Sequence, residues 1–149
     1  MPSAKTPLDL AIGEEIEALH RFLVAWFAGK TSEDSFDKGF SNRLDPDFKL
    51  IPPAGLCLSR SQVNERIKTA YASNPPFRIQ IRNVVVQRVF QQHALVTYQE
   101  WQRNARMSNS ANNGRVATAL FKLDTPLQWL HIHETWLPDD IQSNDAYDF

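Results

Sequence analysis

Cysteine is nearly absent: Cys57 stands alone among 149 residues, so no intramolecular disulfide can form and the fold must be held by its core. With no histidine near it in sequence, Cys57 reads as a small buried hydrophobe and not as a nucleophile. An excess of one charge is also missing. The formal net charge is −1. That withholds the basic face that nucleic acid needs and the polybasic anchor that an anionic membrane recruits. No run is long and apolar enough to span a bilayer. The opening Met1-Pro2-Ser3-Ala4-Lys5 lacks the apolar stretch of a signal peptide, so the cytoplasm is the expected location. Neither a Gly-rich phosphate loop nor a nucleophile elbow occurs, so no cofactor is expected.

What remains is ordinary for a folded domain. A hydrophobic fraction of 42% and a charged fraction of 22% over this length fit one domain with a real core. Thr6-Pro7 reads as a helix start, a capping threonine before proline at the first helical position. Ile12, Ile16, Leu19, Leu23, Trp26 and Phe27 follow at helical spacing, and Gly29 supplies the stop. Phe36 and Phe40 suggest a short second helix. Asp45-Pro46-Asp47 is turn chemistry before a short strand at Phe48 and Leu50, and Pro52-Pro53-Ala54-Gly55 breaks that strand. Ser59 and Gln62 form a capping-box pair opening a third helix through Val63, Ile67 and Tyr71. That helix is expected to stop at Asn74-Pro75-Pro76, with Asn74 in the left-handed cap.

From Phe77 the period changes from helix to strand. Residues 77–90 are long for one strand, so a bulge is expected near Asn83. Strands over 94–103, 115–123 and 129–137 follow, with a flexible Asn- and Ser-rich hairpin loop at 104–114 and a turn at Pro126. The division expected is a single domain over 1–138 and a mobile acidic tail over 139–149. Helices first and a strand meander afterwards mean an α+β fold: N-terminal helices packed on a strongly curved antiparallel sheet, a cone with an internal pocket.

The element order carries a resemblance. An N-terminal helix ends in Phe22-Leu23-Val24-Ala25-Trp26-Phe27-Ala28-Gly29; Asp45-Pro46-Asp47-Phe48 and a serine-capped helix follow. The strands Ala94-Leu95-Val96-Thr97-Tyr98-Gln99-Glu100-Trp101 and Trp129-Leu130-His131-Ile132-His133-Glu134-Thr135-Trp136 close the pattern. Over roughly Asp9 to Pro138 this resembles the nuclear transport factor 2-like superfamily in its SnoaL-like branch, near bacterial domains similar to the association domain of calcium/calmodulin-dependent kinase II. The resemblance implies a cystatin-like cone. It also implies functions from cofactor-free isomerases, dehydratases and cyclases to oligomerisation modules, among which fold does not choose. The kinase domain carries arginines at positions matching Glu100 and Glu134, so its ligand preference does not transfer.

Strand alternation then nominates a site. If both hairpins pair even residues with even, one face holds Val96, Tyr98, Glu100, Thr118, Leu120, Ile132, Glu134 and Trp136. Apolar walls with a few converging polar groups suit a pocket. Glu100 and Glu134 are then candidate acids or bases with raised pKa values, and Tyr98 the hydrogen-bond donor. The competing expectation pairs both glutamates with arginines such as Arg60, Arg66 or Arg82. Phe22, Trp26 and Arg60 are placed among the pocket-lining residues, with Trp26 and Arg60 near its mouth and Arg60 as an anion holder. The odd set, with Trp101, Phe121, His131 and His133, is expected outside, as a homodimer face. His131 and His133 point the same way, but a metal needs a third ligand; His20 and His93 give no reason to converge with them, so no metal site is expected. The expected function is binding of a small, partly apolar molecule, with catalysis open; an association module is the alternative.

Overall fold

The structure is a computed structural model and describes residues 4–106, 108 and 110–149. Met1–Ser3, and Met107 and Asn109 of the expected hairpin loop, lie outside the described residues. Helix α1 (Pro7–Phe27) begins as its sequence dictates. Thr6 accepts from the Asp9 N–H while the Asp9 carboxylate accepts from the Thr6 N–H, a reciprocal cap. Gly29, at φ 69°, ends it: its N–H donates to Trp26 and that of Lys30 donates to Ala25, the paired closure that a left-handed residue permits. Helix α2 (Phe36–Gly39) is a single turn that buries Phe36 against Trp26, with Phe40 buried beside Phe36. Gly39 allows this contact, since a Cβ there would sit 2.2 Å from the Phe22 ring.

Helix α3 (Arg60–Thr69) opens on the Ser59–Gln62 capping box. It ends earlier than its sequence suggests. Ala72, not Asn74, takes the left-handed conformation, at φ 56°. This turn is held because the Ala72 and Asn74 N–H groups donate to Trp26 and Phe27, capping α1 from outside. Asn74 is instead buried, with its amide donating to the Asn104 carbonyl.

The sheet is six-stranded, in the order β2-β1-β6-β5-β4-β3. Its strands are β1 (Leu44–Ile51), β2 (Leu58–Ser59), β3 (Arg78–Phe90), β4 (His93–Arg103), β5 (Asn113–Lys122) and β6 (Gln128–Trp136). The expected all-antiparallel sheet is corrected by one pair: β1 runs parallel to β6. The expected turn at Asp45-Pro46-Asp47 lies inside β1, where the register slips between Leu44 and Lys49. Asn83 does sit at a bulge, with φ 57° and a register shift between Arg82 and Val85. Gln91 and Gln92, both at positive φ, make the tight turn from β3 to β4.

One face of the sheet packs on α1. Ile12, Ile16 and Leu19 meet Ala94, Val96, Tyr98, Ala117 and Ala119 in one core cluster. Small residues on β5 let the helix approach, and Trp129 and Phe121 fill one end, their ring centres 4.4 Å apart. Among the described residues no helix is long and apolar enough to cross a membrane.

Two expectations about the surface fail. Cys57 is exposed, because it follows the Pro52–Gly55 turn and precedes the core residue Leu58. The acidic tail folds back in two 3₁₀ turns, Asp139–Ile141 and Asn144–Tyr147. Gln142 accepts from the Gly114 N–H and donates to the Leu137 carbonyl, and Tyr147 lies edge-on to Trp101. Arg82 is stacked on the Trp101 ring, and the Phe149 ring lies 5.7 Å from its guanidinium.

Candidate functional site

Strand phase decides which side chains face α1. β4 pairs with β5 so that Glu100 faces Arg115, Tyr98 faces Ala117 and Val96 faces Ala119. Even residues thus meet odd ones, because residues 103–112, an even number, lie between the last pair, Gln102 and Asn113. The even-with-even reading is therefore corrected on β5. Thr118 and Leu120 lie on the outer face, and Ala117, Ala119 and Phe121 face the core. The Pro126 turn does pair Lys122 with Gln128, but a bulge at Leu130 follows. Beyond it Ile132, Glu134 and Trp136 share the inner face with Ala119, Ala117 and Arg115.

The inner face thus receives Tyr98, Glu100 and Glu134 together, all buried. Two further residues complete the cluster. His20, from the apolar stripe of α1 one turn beyond Ile16, places Nε2 2.9 Å from Glu100 Oε1 and Nδ1 2.7 Å from the Ile16 carbonyl oxygen. Arg115 donates to Glu134 at 3.3 Å and to Asn113 at 2.9 Å, with its guanidinium 4.9 Å from the Trp136 ring centre. Gln102 joins the halves: its amide donates to Glu100 and its oxygen accepts from Arg115 and Asn113.

These contacts fix the protonation pattern. A carbonyl oxygen only accepts, so His20 Nδ1 carries a proton. Its Nε2 faces a carboxylate, so that nitrogen donates as well and the ring is an imidazolium. Burial opposes this charge, but Glu100 more than offsets it and raises the His20 pKa. Burial likewise works against the Glu100 charge; the His20 imidazolium, with Arg115 and Gln102, reverses that and holds the carboxyl down to about 2. Glu134 behaves oppositely. Burial, then the neighbouring Glu100 charge, pushes it up to about 7 against the weaker pull of Arg115. Two glutamates on adjacent rows of one face are thereby separated into a fixed anion and a group that exchanges its proton near neutrality. The Tyr98 hydroxyl, its pKa raised first by burial and then by Glu100 and Glu134, has no hydrogen-bond partner among the described residues.

The competing expectation of ion pairing holds in kind, with different partners. Arg60 donates to the Ser41 carbonyl and hydroxyl, tying α3 to the segment before β1, and holds neither glutamate. Arg82 lies on the outer face under the tail. Trp26 is core packing, donating to the Ile67 carbonyl and stacked with Phe22, so neither ring stands at a pocket mouth. Phe121 and Trp101 leave the expected homodimer face, the first inward and the second beneath the tail, while His131 and His133 remain outside. Among the described residues no group of three metal-ligating side chains converges.

A groove reaches the cluster from the side. Between α1 and β3 lies a cavity of about 360 Å³ with apolar walls from Val24, Ala25, Ala28, Ile79 and Ile81. His20 also lines it, so one side chain belongs to both groove and network. Sequence reasoning missed His20 and Arg115, though each left a signal. His20 follows Ile12 and Ile16 at steps of four, and Arg115 is the lone charge in the odd-numbered set of β5 beside Ala117, Ala119 and Phe121.

No protein-family model and no curated protein matches the sequence. Solved structures do. An NTF-2 like protein of unknown function from Pseudomonas aeruginosa superposes with a TM-score of 0.76 at 25% identity, covering 86% of this chain and 99% of that one. The CaMKII hub of S. rosetta gives 0.67 at 15% identity over 92% and 100% of the two chains. A candidate dehydratase of the NTF2-like family from Streptomyces avermitilis gives 0.64 at 17% over 86% and 94%. An open mixed sheet with its helices on one face, and neighbours of this kind, give the chain an NTF2-like fold.

Proposed function

We propose that the chain binds a small, partly apolar molecule between α1 and the sheet. In this reading Glu134 serves as acid or base and Tyr98 as hydrogen-bond donor for cofactor-independent isomerisation, dehydration or cyclisation. The observation that carries it is His20, which is at once a wall of the apolar groove and a member of the buried acid–base network. A carboxyl titrating near 7 matches what general acid–base catalysis at neutral pH requires. The unpartnered Tyr98 hydroxyl is a donor without an acceptor, which a ligand oxygen would supply. The candidate dehydratase among the neighbours shares the fold and favours this reaction class. The test is an amide chemical-shift screen with small carbonyl compounds. Shifts at His20, Val24 and Ile81 are expected; shifts confined to the outer sheet face, or none, would contradict binding here. For a bound ketone, exchange of the α-hydrogen with solvent deuterium should vanish in Glu134→Gln.

A second reading has its own support. The hub neighbour and the neighbours described as association domains point to assembly. The outer face keeps Leu95, Val116 and Leu120 half-buried beside exposed Thr118 and His133. A homodimer through that face would cover them. Light scattering at micromolar concentration that returns only monomer would exclude it.

A further inference from the structure

We infer that the groove between α1 and β3 is built for a single-chain amphipathic monocarboxylate, its anion at the Arg78–Lys30 end and its tail along α1. The inference rests on the binding reading above and specifies the ligand class. Four cationic groups line this cavity, the His20 imidazolium, Arg21, Lys30 and Arg78, against one acid, Glu17. His20 is committed to Glu100. Arg21 is committed to Glu14 at 2.6 Å. Arg78 uses one terminal nitrogen on the Pro75 and Phe77 carbonyls, which positions the guanidinium. Its other nitrogens, and the Lys30 ammonium, have no partner among the described residues. The floor beneath is aliphatic, which suits a ligand whose charge is confined to one end.

The groove does not stop there. Glu17 also lines a second cavity of about 650 Å³, so the two cavities adjoin in a trough bordered by α1 and the edge strand β3. The far stretch is bordered by Leu10, Gly13, Val84, Val85 and Val86. Leu10 and Val85 are 59% and 46% exposed, apolar surface that a tail would cover. Gly13 is a helical glycine with nothing within 4 Å of where its Cβ would be, so the trough is open to the helix backbone there. With Glu14 paired to Arg21, the rim of that stretch carries Asp9 and Glu17 against Lys5. Acidic at one end and basic at the other, the trough sets the direction of an anionic amphiphile.

Isothermal titration with octanoate, octanol and octylammonium, each below its micellar concentration, tests this. Octanoate should bind at least fivefold more tightly than either analogue. Affinity should rise roughly fourfold per methylene from hexanoate to decanoate, the ordinary transfer value. Arg78→Gln combined with Lys30→Gln should bring octanoate down to octanol without lowering the melting temperature. Octanol equal to octanoate, or octylammonium tighter, with amide shifts still in the trough, would overturn the ligand class and leave the binding reading standing. Failure of all three to bind would overturn both.

Discussion

His20 and Glu100 stand or fall together. Replacing His20 by Gln leaves the Glu100 carboxylate buried without its counter-ion, which costs on the order of 3 kcal/mol. Urea denaturation should show that loss, and His20→Gln with Glu100→Gln should recover part of it, because the second change removes the stranded charge. A double variant whose loss equals the sum of the two single losses would mean that the two side chains are not coupled. Part of this was legible beforehand: alternation puts Tyr98 and Glu100 on one face of β4, whereas Glu134 joins them only through the bulge at Leu130. What alternation could not supply was the partners. A histidine on an apolar helical stripe has no visible acceptor until the sheet is folded beneath it, and Arg115 pairs across strands by a register that only the hairpin fixes.

Registers and close approaches govern the elements. Because β5 turns Ala119 inward and Thr118 outward, Ala119→Leu should destabilise by about 1–3 kcal/mol through overpacking against α1. Thr118→Val should stay within about 0.5 kcal/mol. The opposite order in thermal unfolding would restore the even-with-even phase. Gly39→Ala should also cost about 1–3 kcal/mol, because its Cβ would strike the Phe22 ring that stacks on Trp26. Helix starts were legible because caps are local: Thr6, Ser59 and Gln62 act within one turn. The phases of β5 and β6 were not, because the first depends on the length of residues 103–112 and the second on a bulge at Leu130. Composition marks neither.

For the whole molecule, the network ties stability to pH. Glu134, raised above its ordinary value, contributes stability present below about pH 4.5 and lost as pH rises through about 7. His20, also raised, acts in the same direction above 6.5. Glu100, depressed, contributes stability present above about 4.5 and lost as pH falls toward 2. His20, Glu100, Arg115 and Tyr98 are the charged or titratable groups around Glu134. Thermal stability should therefore peak near pH 5 and decline toward pH 8, and Glu134→Gln should flatten the decline between 5 and 7.5. An equally steep decline in the variant would remove Glu134 as its source. The tail belongs to this scale too. A chain ending at Pro138 should expose Trp101 and red-shift its fluorescence, since Tyr147 and the Arg82–Phe149 contact are gone. The tail could not be read as docked from its acidic composition. The rings and arginines that receive it are spread over β3 and β4.

One face of the sheet holds two buried glutamates in opposite protonation regimes. Carbon-13 titration of the side-chain carboxyls, assigned with Glu134→Gln and Glu100→Gln, measures it directly. One carboxyl should titrate near 7 and the other should stay ionised down to about 2. Two midpoints together near 4.5, the ordinary glutamate value, would contradict it.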